Sequence, residues 1–577
     1  MLSVLCSQKA GMRKITFIFI SLFLAGCSGE GTETDTLIEG RNIITANGMV
    51  VSAHPEASRI GAGILRRGGN ATDAAIAVEF ALAVCYPEAG NIGGGGFMLI
   101  RTHEGETDVI DYREKAPSLA HRDMFLDNSG NVTPGLSTNT PLASGVPGTV
   151  DGMVNAHSRY GSLPLNELIQ PAIDMAENGF SLTGRQADDL NSYRENFIGR
   201  NSNPIAFVKD SPWKAGDLLI QKDLAGTLKR IRDLGRAGFY SGKTSELITA
   251  SMKRGNGLIS EKDLSEYRSV SRKPLEADYR GFSIITVPPP SSGGIILLQL
   301  LGMSEPFPLE DWGFNSIRTV HLIAEAERRA FADRSEYPGD PDLTNVPVSM
   351  LLNKNYLAGR MNNFNETKAS LSTEILPGTP AAYSSEETTH YSVVDALGNA
   401  VSATTTLNDT FGSSIVVDGA GFLLNNQMDD FSIKPGFPNM YGLVGGEANS
   451  IAPGKKMLSS MTPVIVEKDG KLILVAGSPG GSTIPTTVYQ IIINIIDHGM
   501  SVGEAVDTGR FHHQWLPDRI SFEKSRFDST AAARLYEMGH QLAERASIGR
   551  VSAILILDDG RKAGGADRRG DNISCGY

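Results

Sequence analysis

From Met49 onward, apolar positions either alternate in short runs or recur at helical spacing, so the chain reads as mixed helix and strand. Met49-Val50-Val51-Ser52 is strand-like, and helices are expected over 55–67 and 71–85, separated by Gly68-Gly69. The second is crowded with alanine; small side chains let a helix approach its neighbours closely, which predicts burial. Strands over 96–101 and 107–112 follow. Residues 145–360 are mostly helical in pattern, for example over 148–159, 165–177, 222–235, 243–254, 260–267 and 319–333, and read as outer layers. Pro171 predicts a kink or split in the second of these. Further on come a strand over 472–476, an apolar helix over 486–496, and a capping box, Ser501 with Glu504, opening a short helix. The folded part is expected to begin at Ala46.

One stretch breaks this rhythm. Residues 363–387 are rich in Ser, Thr, Glu and Pro with little hydrophobic periodicity, which predicts an exposed, mobile segment. It runs directly into strands over 390–394 and 400–406, joined by turn residues 395–399. Thr388-Thr389 therefore sits where a loose tail meets a core strand. Cutting between Glu387 and Thr388 would give Thr388 a free α-amine beside its own hydroxyl. Such an amine has a pKa of about 7.7–8.0 and can take the hydroxyl proton near neutral pH. Thr406, ending the second strand, is placed to return beside Thr388. On local pattern alone, a Thr-rich hairpin whose β-branched residues simply fill strand positions competes with this reading.

The segments T-T-H-Y-S at 388–392, T-L-N at 406–408, L-L-N-N-Q-M-D-D-F at 423–431, P-N-M-Y-G at 438–442, L-S-S-M-T-P at 458–463 and G-S-P-G-G-S at 477–482 stand in fixed order. In sequence and spacing they resemble the γ-glutamyltranspeptidase family, and the likeness runs from Met49 to Tyr577. The resemblance implies an α+β fold, the four-layer αββα sandwich of N-terminal nucleophile hydrolases. It also implies self-cleavage before Thr388 into a large subunit, 41–387, and a small catalytic subunit, 388–577, that stay together as a heterodimer. The implied activity is cleavage of the γ-glutamyl amide of glutathione and related compounds, with transfer to water, amino acids or peptides. No cofactor is implied.

By the same resemblance, Thr388 is the nucleophile with Thr406 beside it, and the Gly480 and Gly481 N–H groups form the oxyanion hole. Arg113, Ser459 and Ser460 match positions that hold the substrate α-carboxylate, for which a guanidinium fork is the fitting donor. Asn408, Gln427 and Asp430 match those that grip its α-amine, and Tyr441 matches a lid tyrosine partnered by Asn408. Two features depart from many relatives: Glu387 before the cut, and Arg568 where a proline commonly follows Asp567. A glutaryl-type cephalosporin acylase of the same fold is the nearest rival, opposed by Asp430 because a glutaryl chain has no α-amine. A non-catalytic surface lipoprotein is the rival of another kind, opposed by the retained Thr388, Thr406, Arg113, Asp430 and glycine pair. A Ser478 nucleophile fails because Ala476 stands where a GxSxG elbow needs glycine. The glycines at 93–96 have no following Gly-Lys-Ser/Thr, so close backbone packing is expected there rather than a phosphate loop. The glycines of the 288–294 loop could bind an anion at a helix start; a structural role is preferred.

Composition adds the compartment. Arg13 and Lys14 precede a short apolar run over 15–25 that ends in Leu24-Ala25-Gly26-Cys27. The run is too short to span a bilayer and suits a signal peptide over 1–26, with Met12 a possible start. The ending resembles a lipobox, which implies lipidation of Cys27, a linker over 27–40, and an exported, periplasmic or cell-envelope protein held to a membrane by lipid. The formal net charge of −12 becomes −15 once Lys9, Arg13 and Lys14 of the leader are removed. That acidity argues against nucleic acid and against electrostatic binding to anionic lipid. Beyond Cys6 and Cys27 the only cysteines are Cys85, read as a small core residue, and Cys575; a bridge between them stays open. No CxxC or HExxH motif occurs and His512-His513 are adjacent, so no metal site is assigned.

Overall fold

A computed structural model describes residues 36–376, 388–437, 439–440 and 445–577. Two antiparallel sheets form its centre. The first runs Ile38–Gly40, Ile573–Gly576, Met49–Ser52, Thr389–Val394, Ala400–Thr406, Gly95–Arg101, Thr107–Asp111, Val270–Arg272. The second runs Asn42–Thr45, Lys562–Ala566, Ser552–Ile556, Lys471–Gly477, Val464–Lys468, Phe282–Thr286, Leu275–Tyr279. The sheets face one another; helices Pro55–Arg66 and Ala71–Cys85 cover the first, and helices Gly293–Ser304 and Thr483–Ile496 cover the second. This is the αββα sandwich, and strands from both sides of residue 388 interleave in both sheets.

One apolar core lies between the first sheet and its helices, joining Val50, Ile110, Tyr391 and Val401 to Ile76 and Phe80. A second fills the remaining layers around Met49, Leu99, Val464, Val475, Ile296 and Ile492. Every residue of Ala71–Cys85 is buried, as its alanines predict. Its start carries a capping box, Asn70 with Asp73, and the Ala71 N–H donates to Asp395 in the turn of the 389–406 hairpin (3.0 Å). Helix and hairpin are thereby fixed to each other.

The glycine run at 93–96 packs closely, as expected. A β-carbon on Gly94 would lie 2.0 Å from the Thr406 carbonyl oxygen, and one on Gly96 2.3 Å from that of Thr404. Cys85 and Cys575 are buried and unbridged. The helix Leu165–Asn178 continues through Pro171 rather than splitting. Ser501 and Glu504 form the expected capping box.

Three expectations are corrected. The folded body begins at Leu37, before both Ala46 and the 40/41 boundary, because Ile38–Gly40 and Asn42–Thr45 join the sheets. These are short, largely exposed edge strands with almost no apolar alternation, so they left no periodic signal. Residues 270–286, within the supposedly helical region, are strands; the Leu275–Tyr279 and Phe282–Thr286 hairpin turns at Arg280-Gly281. Finally, 363–376 is anchored despite its polarity. Ser372 is fully buried, its carbonyl accepts from Trp515 Nε1 (2.7 Å), and its N–H donates to Asp518 (2.7 Å). Its order comes from side chains distant in sequence.

Gly94→Ala should cost about 1–3 kcal/mol, because backbone rather than a movable side chain blocks the new methyl. Gly63→Ala, where the added carbon meets nothing within 4 Å, should be neutral or slightly stabilising. Thermal unfolding of the two variants checks this; equal stability would remove the close-packing account.

Candidate active site

Strand parity decides which threonines meet. Thr389 pairs with Thr405 and His390 with Thr404, so extending the ladder one residue sets Thr388 opposite Thr406. Odd positions of the first strand face the helices: Tyr391 donates to Glu79 on Ala71–Cys85 (2.9 Å). Even positions face the second sheet: Ser392 Oγ donates to the Ser552 carbonyl (3.0 Å), and His390 lies between Thr404 Oγ1 (2.9 Å) and Ser392 Oγ (3.1 Å). Thr388 and Thr406 share that even parity and open at the end of the layer. Burial holds the His390 pKa down at about 3, so this ring is neutral. It presses on Gly477, where a β-carbon would lie 2.3 Å from the imidazole.

Thr388 and Thr406, each 3% exposed, line one small cavity with Arg113, Asn408, Gln427, Asp430, Ser459 and Ser460. Leu458, Met461 and Arg334 complete its wall. Gly480 and Gly481 are not part of that wall; Tyr441, Glu387 and Cys27 lie outside the described residues. A larger apolar cavity of about 330 Å³ near Leu298, Phe307 and Leu357 has none of these polar groups. Size alone therefore does not locate the chemistry.

Arg113 is fixed from four directions. Nε donates to the Met457 carbonyl (3.3 Å), Nη1 to Glu114 (3.4 Å), and Nη2 to the Leu458 carbonyl (2.8 Å) and directly to Asp430. Burial pushes Glu114 up to about 7, against the pull of Arg113. Gln427 Nε2 also donates to Asp430 (2.7 Å), while Gln427 Oε1 is buried without a partner among the described residues. The two charges expected to meet opposite ends of a zwitterion thus pair with each other, with an amide acceptor alongside.

Asn408 adopts φ 84°, its N–H donates to Thr406 Oγ1 (2.8 Å), and its side chain donates to the Asn426 carbonyl (3.0 Å). Its Nδ2 also contacts Met440 Sδ (3.9 Å). Asp429, which sequence reasoning missed, accepts from the Met440 N–H (2.7 Å) and Ser137 Oγ (2.6 Å). Burial raises its carboxyl to about 7. Gly480 (φ 125°) and Gly481 (φ 53°) both take left-handed backbone conformations that glycine tolerates best. They immediately precede the helix Thr483–Ile496, which starts three residues earlier than its apolar run, with Pro485 in its first turn. Ser478 is buried and donates to the Pro479 carbonyl (2.7 Å), no arrangement for a nucleophile.

The 288–294 loop has the structural role preferred for it: the Ser292 N–H and hydroxyl both donate to the Ser459 carbonyl (2.8 and 2.7 Å). Among the described residues, His321, Glu325 and His540 form a cluster of metal-ligating types. The two rings hydrogen-bond each other (2.7 Å), and Glu325 is paired with Arg328 and Arg329, so these groups are committed to a structural network.

The description of the γ-glutamyltranspeptidase family matches residues 57–577. The chain belongs to this family. It is 49% identical over 533 residues to the glutathione hydrolase proenzyme of Escherichia coli K12, with 92% of each chain covered. Among solved structures, a cephalosporin acylase from Bacillus halodurans superposes with a TM-score of 0.81 at 26% identity, covering 93% of this chain and 97% of that one. The γ-glutamyltranspeptidase of Helicobacter pylori gives 0.56 at 46% identity, covering 57% and 96%. Membership puts the paired threonines and the opposed charges of the cavity in one enzymatic context.

Proposed function

We infer that this γ-glutamyltranspeptidase is a γ-glutamyltransferase and glutathione hydrolase that matures by cutting itself between Glu387 and Thr388. The observation that carries the reading is one buried cavity holding two facing threonines beside a cation and an anion on a shared wall. In the proposed mechanism the α-amine of Thr388 takes the hydroxyl proton, and Oγ attacks the γ-carbonyl carbon. Thr406 hydrogen-bonds that oxygen, and the N–H groups of Gly480 and Gly481 stabilise the oxyanion. The ammonium returns its proton to the leaving nitrogen, the C–N bond breaks, and cysteinylglycine departs from glutathione. Water, an amino acid or a peptide then attacks the γ-glutamyl ester, and Thr388 recovers its proton.

In this reading Arg113, Ser459 and Ser460 take the α-carboxylate, and Asp430, Gln427 and Asn408 take the ammonium, beneath a lid carrying Tyr441. Gln427 Oε1 supports the assignment, since a buried, unpartnered acceptor beside a carboxylate suits an N–H donor. The likeness to the Bacillus halodurans cephalosporin acylase favours a second reading, a glutaryl acylase; the Asp430 carboxylate opposes it. We further propose that Cys27 is lipidated and tethers the exported enzyme to a membrane, supported by the apolar run over 15–25 ending in Leu24-Ala25-Gly26-Cys27.

Thr388→Ala should yield one uncut, inactive chain on a denaturing gel; a cut and active variant would end the nucleophile assignment. Asp430→Asn should lower kcat/KM for a γ-glutamyl anilide roughly 30-fold or more, since unpairing a desolvated charge costs about 2–5 kcal/mol. It should spare self-cleavage and narrow the gap between γ-glutamyl and glutaryl anilides. Equal loss on both donors would make Asp430 purely structural. Cys27→Ala should move the protein out of the membrane fraction or leave it unprocessed, and a fully soluble wild type would overturn the anchor.

A further inference from the structure

The strand Lys471–Gly477 crosses the polar face of the first sheet toward its Thr388 end. The Ala476 carbonyl accepts from Ser402 Oγ (3.0 Å), and Gly477 lies against His390, whose strand partner is Thr404. The loop that follows therefore emerges at the end of the layer where Thr388 and Thr406 lie. It carries two hydroxyls that no step above uses. Ser478 Oγ, fully buried, donates to the Pro479 carbonyl (2.7 Å) and accepts from the Arg550 N–H (3.0 Å). Thr483 Oγ1, also buried, donates to the Gly480 carbonyl (2.6 Å), which accepts from the Thr483 N–H as well (2.9 Å).

These contacts fix more than carbonyls. The Pro479–Gly480 and Gly480–Gly481 peptide bonds are trans, and a planar trans peptide points its N–H opposite to its C=O. Holding the Pro479 carbonyl therefore aims the Gly480 N–H, and holding the Gly480 carbonyl aims the Gly481 N–H. Among the described residues neither N–H has an acceptor, although Gly481 is buried. Buried N–H groups without a partner are rare, so an acceptor brought by a substrate is the fitting occupant. The Thr483 contact also explains why position 480 is glycine: a β-carbon there would lie 2.4 Å from Thr483 Oγ1.

We propose that Ser478 and Thr483 are positioning residues for the oxyanion hole, each locking one of its two amide planes. The proposal rests on the reading above, in which the Gly480 and Gly481 N–H groups hold the oxyanion, and names what holds those groups in turn.

Thr483→Ala and Thr483→Ser both remove the methyl and differ only in the hydroxyl. Deleting an oxyanion donor costs about 10²–10³-fold in kcat, so loosening one, with the Thr483 N–H still on the Gly480 carbonyl, should cost roughly 10-fold. Thr483→Ala should therefore lower kcat and kcat/KM together, per mole of cut chain, with KM within about 2-fold of wild type, as for an interaction made in the transition state. The loss should be equal on γ-glutamyl and glutaryl anilides, which present the same carbonyl. Thr483→Ser should recover most of it, and Ser478→Ala, which removes the other hydroxyl, should repeat the kcat loss. Equal kcat in the two Thr483 variants, a loss confined to KM, or failure of both alanine variants to fold would overturn the proposal. A wild-type enzyme inert toward γ-glutamyl anilide would instead overturn the functional reading beneath it.

Discussion

The ladder between Thr389–Val394 and Ala400–Thr406 lies in the middle of the eight-stranded sheet, and both strands are buried on both faces. Such strands usually read as continuous hydrophobic runs. Here the face toward the second sheet is polar near the cavity: Ser392 and Ser402 donate to the Ser552 and Ala476 carbonyls of that sheet, and His390 bonds Thr404 and Ser392 within its own. Buried polar groups are tolerable only when partnered, so this layer is specific about its register. A slip of one residue would turn Thr388 toward the helices and leave His390 without its partners. Register therefore decides that Thr388 and Thr406 meet at the cavity.

The cavity at the end of this layer carries more charge than a core comfortably holds. Taking Arg113 and Asp430 out of water is costly, and their mutual attraction offsets that only with good geometry. The surrounding carbonyls of Met457 and Leu458 and the Gln427 amide supply the remaining partners. Such a pair is better understood as specificity than as stability. A group carrying both charges could replace each partner with its own, whereas an uncharged one leaves the Arg113–Asp430 pair as it was.

The interleaving of strands explains how one chain could be cut and still hold together. Each sheet takes strands from before and after residue 388, and Arg334 and Ser292 from the upstream part grip Ser459 and Ser460 from the downstream part. Separating the two parts would break ladders in both sheets. The cavity wall is likewise composite, so neither part contains a complete cavity.

The sequence by itself determined the parts with strong local signals. These were the hairpin after a polar tail, the alanine-rich buried helix, the glycine run, and, through family motifs, the residues that gather around Thr388. Short edge strands such as Ile38–Gly40 were illegible because their exposed residues need no alternation. The anchoring of 363–376 was illegible because Trp515 and Asp518 hold it from far along the chain. Only the tertiary structure decided that Arg113 and Asp430 pair with each other, and that Arg334, in the last turn of an upstream helix, lines the cavity. Local pattern records which face of an element is buried; which charges meet across that burial depends on how layers stack, and stacking is a property of the whole chain.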